Sequence, residues 1–334
     1  MKSIQPIVLA AGQGTRMKSE LPKVLHPVIG KPMIEYILDE LASITPIKPI
    51  VVVGFQREQV SAAIEGKALT AIQHQQLGTA NAVQAAEALG RGKADLILLA
   101  YADMPCLTSE TFQLICDTQL KHGGAFSMLT VFQDDAHGFG RILRNADGSV
   151  SAIVEEAQAT PEQLKIRECN VGVYCFESEW MWEALKRVKV SPKGEYYLTD
   201  LVELANEDKK PVHAVVLHDQ QEALGINNRV HLSEAEAVLR ERINRKWMHA
   251  GVTMIDPATV YIDHQAQLDA DVTLLPNTAI SGASHIRHGS VIGPSSVIEN
   301  SQIGNDCVLP QVVVRNATIP DNTILKPFQV VENS

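Results

Sequence analysis

Two glycines, an arginine and a lysine near the start of the chain are spaced for phosphate chemistry. In "IVLAAGQGTRMKSELPKVL" (Ile7–Leu25) an apolar run ends in Gly12, Gln13, Gly14, Thr15 and Arg16, and Pro22 and Lys23 follow. Glycines let a backbone approach an anion closely and turn its N–H groups toward it. Arg16 can fork onto phosphate oxygens, and Lys23 adds a point charge on a turn that Pro22 fixes. The loop lacks the Gly-Lys-Ser/Thr ending of a Walker A loop and the third glycine of a dinucleotide fingerprint. Two glycines alone would equally suit a tight strand-to-helix turn with solvated basic residues. Thr15, Arg16 and the Pro22-Lys23 pair together favour phosphate.

Three further positions carry polar chemistry. Asp103 follows the apolar run Leu96–Tyr101. A carboxylate at a strand end suits Mg²⁺, which takes one or two protein oxygens and fills its shell with substrate phosphates. Asp103 could merely cap a helix, but Thr108 and Ser109 stand closer to "ETFQLI". Gln73 and Gln76 each offer a donor and an acceptor, as an imide edge requires. The competing reading there is a helix start capped by Thr79. Asn227 taken alone reads as a helix N-cap, a task it would share with Asn228.

The elements that must position these residues alternate. Ile7–Ala11, Ile50–Gly54 and Leu96–Tyr101 read as strands; Met33–Leu41, Gln56–Ile64 and the alanine-rich Thr79–Leu89 read as helices. That rhythm implies an α/β fold, a mainly parallel Rossmann-like sheet covered on both faces. Ligands in such folds bind outside the carboxyl ends of the strands, where Gly12 and Asp103 fall. A charged, leucine-spaced segment, Asn227–Ala250, stopped by Gly251, reads as one helix bridging two domains. Beyond it, Ile280, Ile286, Ile292 and Ile298 recur six apart. Five-residue steps are read from Ile298 to Ile303 and from Val314 to Ile319. Hexapeptide periodicity of aliphatic residues marks a parallel β-helix with three hexads per turn. The expected domains are therefore 1–227, a linker helix 228–250, and a β-helix 251–334.

The composition permits this. A chain of 334 residues, 45% hydrophobic and 20% charged, is long enough for two domains with their own cores. A net charge of −10 argues against general nucleic-acid or membrane-surface binding, though not against an anion in a local basic pocket. No uncharged apolar stretch reaches the ~18–20 residues of a membrane span. One lysine precedes the first strand-like run with no cleavage pattern after it, so no signal peptide is read. Five cysteines without paired spacing, Cys106, Cys116, Cys169, Cys175 and Cys307, fit reduced thiols in a cytoplasmic protein.

"LAAGQGTRMKSELPKVL" resembles the signature of the sugar-1-phosphate nucleotidyltransferases. Within them the chain is most similar to the bacterial N-acetylglucosamine-1-phosphate uridylyltransferases, the N-terminal part of a bifunctional family. "QQLGTANA", "YADMP", "GFGRI", "IVEE", "ECNVGVY", "GEYYLTD" and "GINNR" follow in that family's order, and a left-handed hexapeptide β-helix comes after them. The resemblance implies transfer of a uridylyl group from UTP to N-acetylglucosamine-1-phosphate, with release of pyrophosphate and Mg²⁺ as cofactor. It implies nucleotide contacts at Leu9, Ala10, Ala11, Gly12, Gly14, Thr15, Gln73, Gln76, Gly78 and Thr79. Arg16, Lys23 and Asp103 would form the catalytic set, with Arg16 and Lys23 on the triphosphate. Tyr101, Gly140, Glu155, Asn170 and Asn227 would line the sugar side, and Asp103 and Asn227 would hold the metal. The alternatives are the same chemistry with another sugar-1-phosphate or dTTP, or a non-catalytic sugar-nucleotide-binding regulator or scaffold. Arg16, Lys23, Asp103 and Asn227 are all kept, which disfavours the last.

Departures from the family pattern cluster on the sugar side. Ala102 stands in place of a glycine, Val171 in place of a threonine, and Ala157 and Gln158 follow "IVEE" where a lysine and an acid are usual. They leave the sugar's identity open. In the bifunctional enzymes the β-helix continues and carries the acetyltransferase histidine and acetyl-coenzyme A site; this sequence ends at "ILKPFQVVENS". His285 and His288 read as solvated side chains of the β-helix. The expectation is a uridylyltransferase without acetyltransferase activity; the resemblance implies a homotrimer through the β-helix, and the shorter helix, with less contact area, leaves a monomer or dimer open.

Overall fold

Seven consecutive buried residues, Ile4–Ala10 (β1), form the strand around which the first unit is built. The computed structural model describes residues 2–332. Its contacts divide it into two units. One runs to His26 and resumes from Met33 to His231; the other comprises Pro27–Pro32 and the residues from Leu232 onward.

The described residues place nine strands in the sheet of the first unit. After β1 come β2 (Ile50–Val53), β3 (Leu69–Ile72), β4 (Leu96–Tyr101), β5 (Phe126–Phe132), β6 (Arg141–Arg144), β7 (Val150–Val154), β8 (Glu168–Glu177) and β9 (Val212–Val216). Seven of them run in the order β9-β5-β8-β4-β1-β2-β3, and β6 and β7 form a side branch on β8. Continuous apolar runs such as "IVVV" and "LILLAY" suit strands buried on both faces. β1 pairs in parallel with β2 on one side and β4 on the other. The chain thus leaves β1 in one direction and returns on its opposite flank. That reversal opens a crevice at the carboxyl ends of β1 and β4.

The sheet is less uniform than alternation suggests. β8 runs antiparallel to both β4 and β5, and its pairing with β5 slips between Asn170 and Tyr174. Helix α1 (Met33–Ile44) buries Met33, Ile34, Ile37, Leu38 and Leu41, the single stripe that faces a core. The alanine-rich segment is two short helices, α2 (Thr79–Gln84) and α3 (Glu87–Gly90). Thr79 does not cap the first of them. Gly78 takes that place with φ 103°, and the Thr79 hydroxyl accepts from Leu198 N at 3.0 Å. Thr108 caps α4 (Ser109–His122), accepting from Thr111 N.

Helix α5 spans Arg229–His249, and from Leu232 onward it belongs to the second unit. Its cap is Asn228, which accepts from His231 N at 2.9 Å, leaving Asn227 for other work. The hexad residues Ile280, Ile286, Ile292 and Ile298 are all buried. Each pairs in register with a residue on the next coil, Ile280 with Ile298, Ile286 with Ile303 and Ile298 with Val314. Three parallel sheets result, the faces of a left-handed β-helix. A third five-residue step, from Leu309 to Val314, accompanies the two read from sequence. Corners are turned by left-handed residues such as Asp271, Asn277, Asn300 and Asp306, types that tolerate positive φ. Buried Ser284, Ser290 and Ser296 accept from Ser301 N, Cys307 N and Val312 N of the following coil, so the corner N–H groups stay satisfied. His285 bonds to Asp269 at 2.8 Å and His288 to the Ala270 carbonyl at 3.1 Å. His288 is exposed, as expected; His285 is half-buried in this contact.

Candidate active site

The crevice beside β1 is a cleft of about 410 Å³. The ends of β1 and β4 form its floor, bringing Leu9, Ala10, Ala11 and Gly12 together with Tyr101 and Asp103. Gln73, Gln76, Gly78 and Thr79 close one wall, and Lys23 the other. Eleven sequence-expected residues thus meet in one cavity, although they come from four separate stretches of chain.

The first loop is folded for a purpose visible in its angles. Gly14 has φ 63°, and the turn Thr15–Met17 ends at Lys18 with φ 49°. A Cβ on Gly14 would come within 2.6 Å of the Lys23 Cβ. Glycine at that point lets the two halves of the loop close on each other, so that Lys23 reaches the cleft. Pro22, at φ −50°, starts the turn Lys23–Leu25.

Two side chains meet Lys23 at the cleft, and a third joins through one of them. Its ammonium donates to the Asp103 carboxylate and lies 3.5 Å from Asn227 Oδ1. Arg16 donates to the same Asn227 oxygen at 2.9 Å. Two hard oxygen donors, Asp103 and Asn227, therefore converge on one positive charge. Among the described residues no group of three or more His, Cys, Asp or Glu is placed to hold a metal. A two-oxygen site completed by substrate phosphates needs no such group.

The glutamines are oriented by the backbone. Gln73 donates to Gly78 O at 3.2 Å and to Asn81 Oδ1 at 2.9 Å, which uses both protons of its amide. Gln76 donates to Ala11 O at 2.7 Å. Each then has a carbonyl oxygen left to accept.

Gly140, Glu155 and Asn170 form a second group. Asn170 N donates to Gly140 O at 2.9 Å, and a Cβ on Gly140 would lie 3.7 Å from Glu155 Oε2. Asn170 donates to the Tyr174 hydroxyl at 2.7 Å and accepts from Gly172 N at 3.1 Å. Burial raises the Glu155 carboxyl, opposed by the Thr199 hydroxyl, which donates to it at 3.2 Å. Asp200 is pushed from 3.8 up to about 6, by burial first and then by Glu203 and Glu155. Burial, then the charges of Glu155 and Asp103, push the Tyr101 phenol well above its usual range. Two cleft-lining residues, Glu195 and Tyr197, were not assigned a role from sequence. Their signal was the motif "GEYYLTD", which contains both.

A family model of the MobA-like NTP transferase domain matches residues 6–254. The chain belongs to the MobA-like NTP transferase family. Relatives described as "Bifunctional protein GlmU" align along nearly all of it. That of Exiguobacterium sibiricum is 42% identical over 96% of this chain and 72% of the relative. That of Heliobacterium modesticaldum is 43% identical over 96% and 70%, and that of Bacillus velezensis 39% over 96% and 71%. As an NTP transferase the chain is an enzyme of nucleotidyl transfer, and its substrates are a nucleotide and a sugar phosphate. Among the described residues no helix is long and apolar enough to cross a membrane.

Proposed function

We propose that the protein transfers the uridylyl group of UTP to N-acetylglucosamine-1-phosphate, giving UDP-N-acetylglucosamine and pyrophosphate. The observation that carries this reading is the convergence of Arg16, Lys23, Asp103 and Asn227 at the mouth of the cleft. Two cations and two hard oxygens side by side suit a triphosphate that arrives with a divalent metal. Mg²⁺ fits Asp103 and Asn227, whose oxygens already face the Lys23 cation, and when bound it would neutralise phosphate charge. The Gly12–Thr15 backbone directs N–H groups at the phosphates, and Arg16 and Lys23 stabilise charge on the departing pyrophosphate. The nucleophile is a phosphate monoester with a second pKa of about 6, already ionised at neutral pH, so no general base is required. What remains is alignment of the two substrates.

The orientation of the glutamines favours uracil. Gln73 keeps only an acceptor, and Gln76 an acceptor and one N–H, a set that meets the N–H and a carbonyl of an imide. On the sugar side, Ala102 is fully buried and Val171 nearly so. The methyl added at Ala102 and the methyl that replaces a hydroxyl at Val171 lie in the packing, leaving Gly140, Glu155, Asn170 and Tyr101 as the proposed sugar contacts. This favours N-acetylglucosamine-1-phosphate, with other sugar-1-phosphates or dTTP as the nearest rivals. We further propose a cytoplasmic enzyme without acetyltransferase activity. His285 bonds to Asp269 and His288 to a backbone carbonyl of the β-helix. Trimerisation through the flat faces of the β-helix is part of the same proposal.

The test is pyrophosphate release with Mg²⁺ across a panel of nucleoside triphosphates and sugar-1-phosphates. UTP with N-acetylglucosamine-1-phosphate is expected to exceed CTP or ATP by at least about a hundredfold, the cost of mispairing hydrogen-bonding groups that a bound base would shield from water. Equal rates with all nucleotides would overturn the base reading.

A further inference from the structure

The start of α5 holds a residue that the reaction described above leaves without a role. Arg229 lies two positions after Asn227. Its Nε donates to the Met17 carbonyl at 3.3 Å, and its Nη1 lies 3.2 Å from His26 Nδ1. Met17 and His26 bracket the segment that carries Lys23, and Met17 is the immediate neighbour of Arg16. One guanidinium thus grips both ends of the stretch that carries Lys23.

The chemistry of these contacts is specific. Arginine has no acceptor, so the His26 contact requires the Nδ1 lone pair, and the ring proton sits on Nε2. His26 is buried, and its Nε2 has no partner in the protein. Leaving a buried N–H unpaired costs free energy. The ring is therefore held in an orientation that serves Arg229 and not its own second nitrogen. The Met17 end is also one that a free loop would relax. The turn Thr15–Met17 is flanked by two left-handed residues, Gly14 and the non-glycine Lys18, and such turns persist only when their surroundings over-determine them. Asn228 caps α5, and the His231 ring accompanies it with a contact to Gly225 O at 3.1 Å. The stretch from Gly225 to His231 is thereby anchored at both ends.

We propose that Arg229 is a positioning residue for the nucleotide half of the site, fastening the Arg16 and Lys23 segment to the stretch that presents Asn227. The fastening keeps three groups in register: Arg16, Lys23 and the Asn227 oxygen that both of them face. It acts on the triphosphate and metal side alone. Among the described residues, the hydrogen bonds of the Arg229 side chain go to Met17 and His26 and not to Gly140, Glu155 or Asn170. The inference rests on the reading of Arg16 and Lys23 as triphosphate ligands.

Arg229 is an exposed residue, so shortening it leaves the core packing in place. The experiment compares the full-length wild type with Arg229→Ala, Arg229→Lys and Arg16→Ala in steady-state pyrophosphate release. Each substrate and Mg²⁺ is varied in turn. Arg229→Ala is expected to lower kcat/KM for UTP by about tenfold or more, the effect of losing charge-assisted hydrogen bonds. It should also raise the Mg²⁺ concentration giving half-maximal rate, while KM for N-acetylglucosamine-1-phosphate stays within twofold or so. Arg229→Lys, which can remake one of the two contacts, is expected to recover part of the loss. If Arg16→Ala is impaired and Arg229→Ala matches the wild type, the fastening is refuted and the site reading stands. Equal losses toward both substrates would also refute it, since they would mark a general structural defect. A silent Arg16→Ala would overturn the site reading, and the role of Arg229 with it.

Discussion

Asp103 faces Lys23 across a contact that is mostly shielded, with side-chain exposures of 19% and 13%. In a nucleotidyl transfer that pairing has a direct use. The lysine keeps the carboxylate aimed into the cleft, and the carboxylate keeps the lysine from turning to solvent. Asp103→Ala removes a proposed metal oxygen and releases Lys23. Turnover is expected to fall by about 10²–10³-fold, the scale seen when one preorganised electrostatic group is lost. UTP affinity should change less, because the glutamines and the loop backbone remain. Steady-state kinetics alongside calorimetric UTP binding would check this, and near-normal kcat would contradict the assignment. Much at this scale was legible in the sequence, because the loop residues and Asp103 lie within short motifs. Asn227 was ambiguous alone. Its separation from the capping role became clear only when Asn228 was seen to cap α5. Glu195 and Tyr197 reach the cleft from far along the chain, and no local spacing announces such a convergence.

At the level of elements, the turn Leu198–Asp200 and the helix Leu201–Glu207 that follows it are informative. A carboxylate at a helix start is ordinarily stabilised in its charged form. Here burial and the neighbouring Glu203 and Glu155 outweigh that, and Asp200 rises from 3.8 to about 6. Between those values the folded protein holds a proton that the unfolded chain has lost. The stability this contributes is complete below pH 3.8 and is lost as pH rises through 6. Asp200→Asn is therefore expected to stabilise the protein at pH 7.5 by on the order of 1–2 kcal/mol, after discounting for partial solvent access. It should leave stability at pH 4 nearly unchanged. Thermal melts of both forms at the two pH values test this, and an equal effect at both would refute it. Elements with a strong local period were legible: the hexads predicted the coils because each repeat writes its own pattern. The antiparallel course of β8 was not legible, because its buried apolar run reads alike in either direction. The break between α2 and α3 was hidden by a run of alanines, which favour helix throughout.

For the molecule as a whole, chain order explains the site. β1 is flanked by β2 and β4, so the Gly12 loop and Asp103 come to one crevice although ninety residues of sequence separate them. Alternation of strand and helix made that crevice foreseeable. The excursion of Pro27–Pro32 into the second unit was not, since six residues carry too little pattern to show where they pack. Gly30 there has φ 71°, and a Cβ would lie 2.6 Å from the Asp263 carboxylate, so this turn admits little besides glycine. The central claim is that one cleft joins two substrates through the α-phosphate of UTP. It is tested most directly by supplying UTP labelled at the α-phosphorus with N-acetylglucosamine-1-phosphate and Mg²⁺, then following the label by mass spectrometry. The account predicts that the label appears in a nucleoside-diphosphate sugar, in step with one pyrophosphate released, and only when both substrates are present. Label recovered as UMP, or pyrophosphate released without the sugar phosphate, would contradict it.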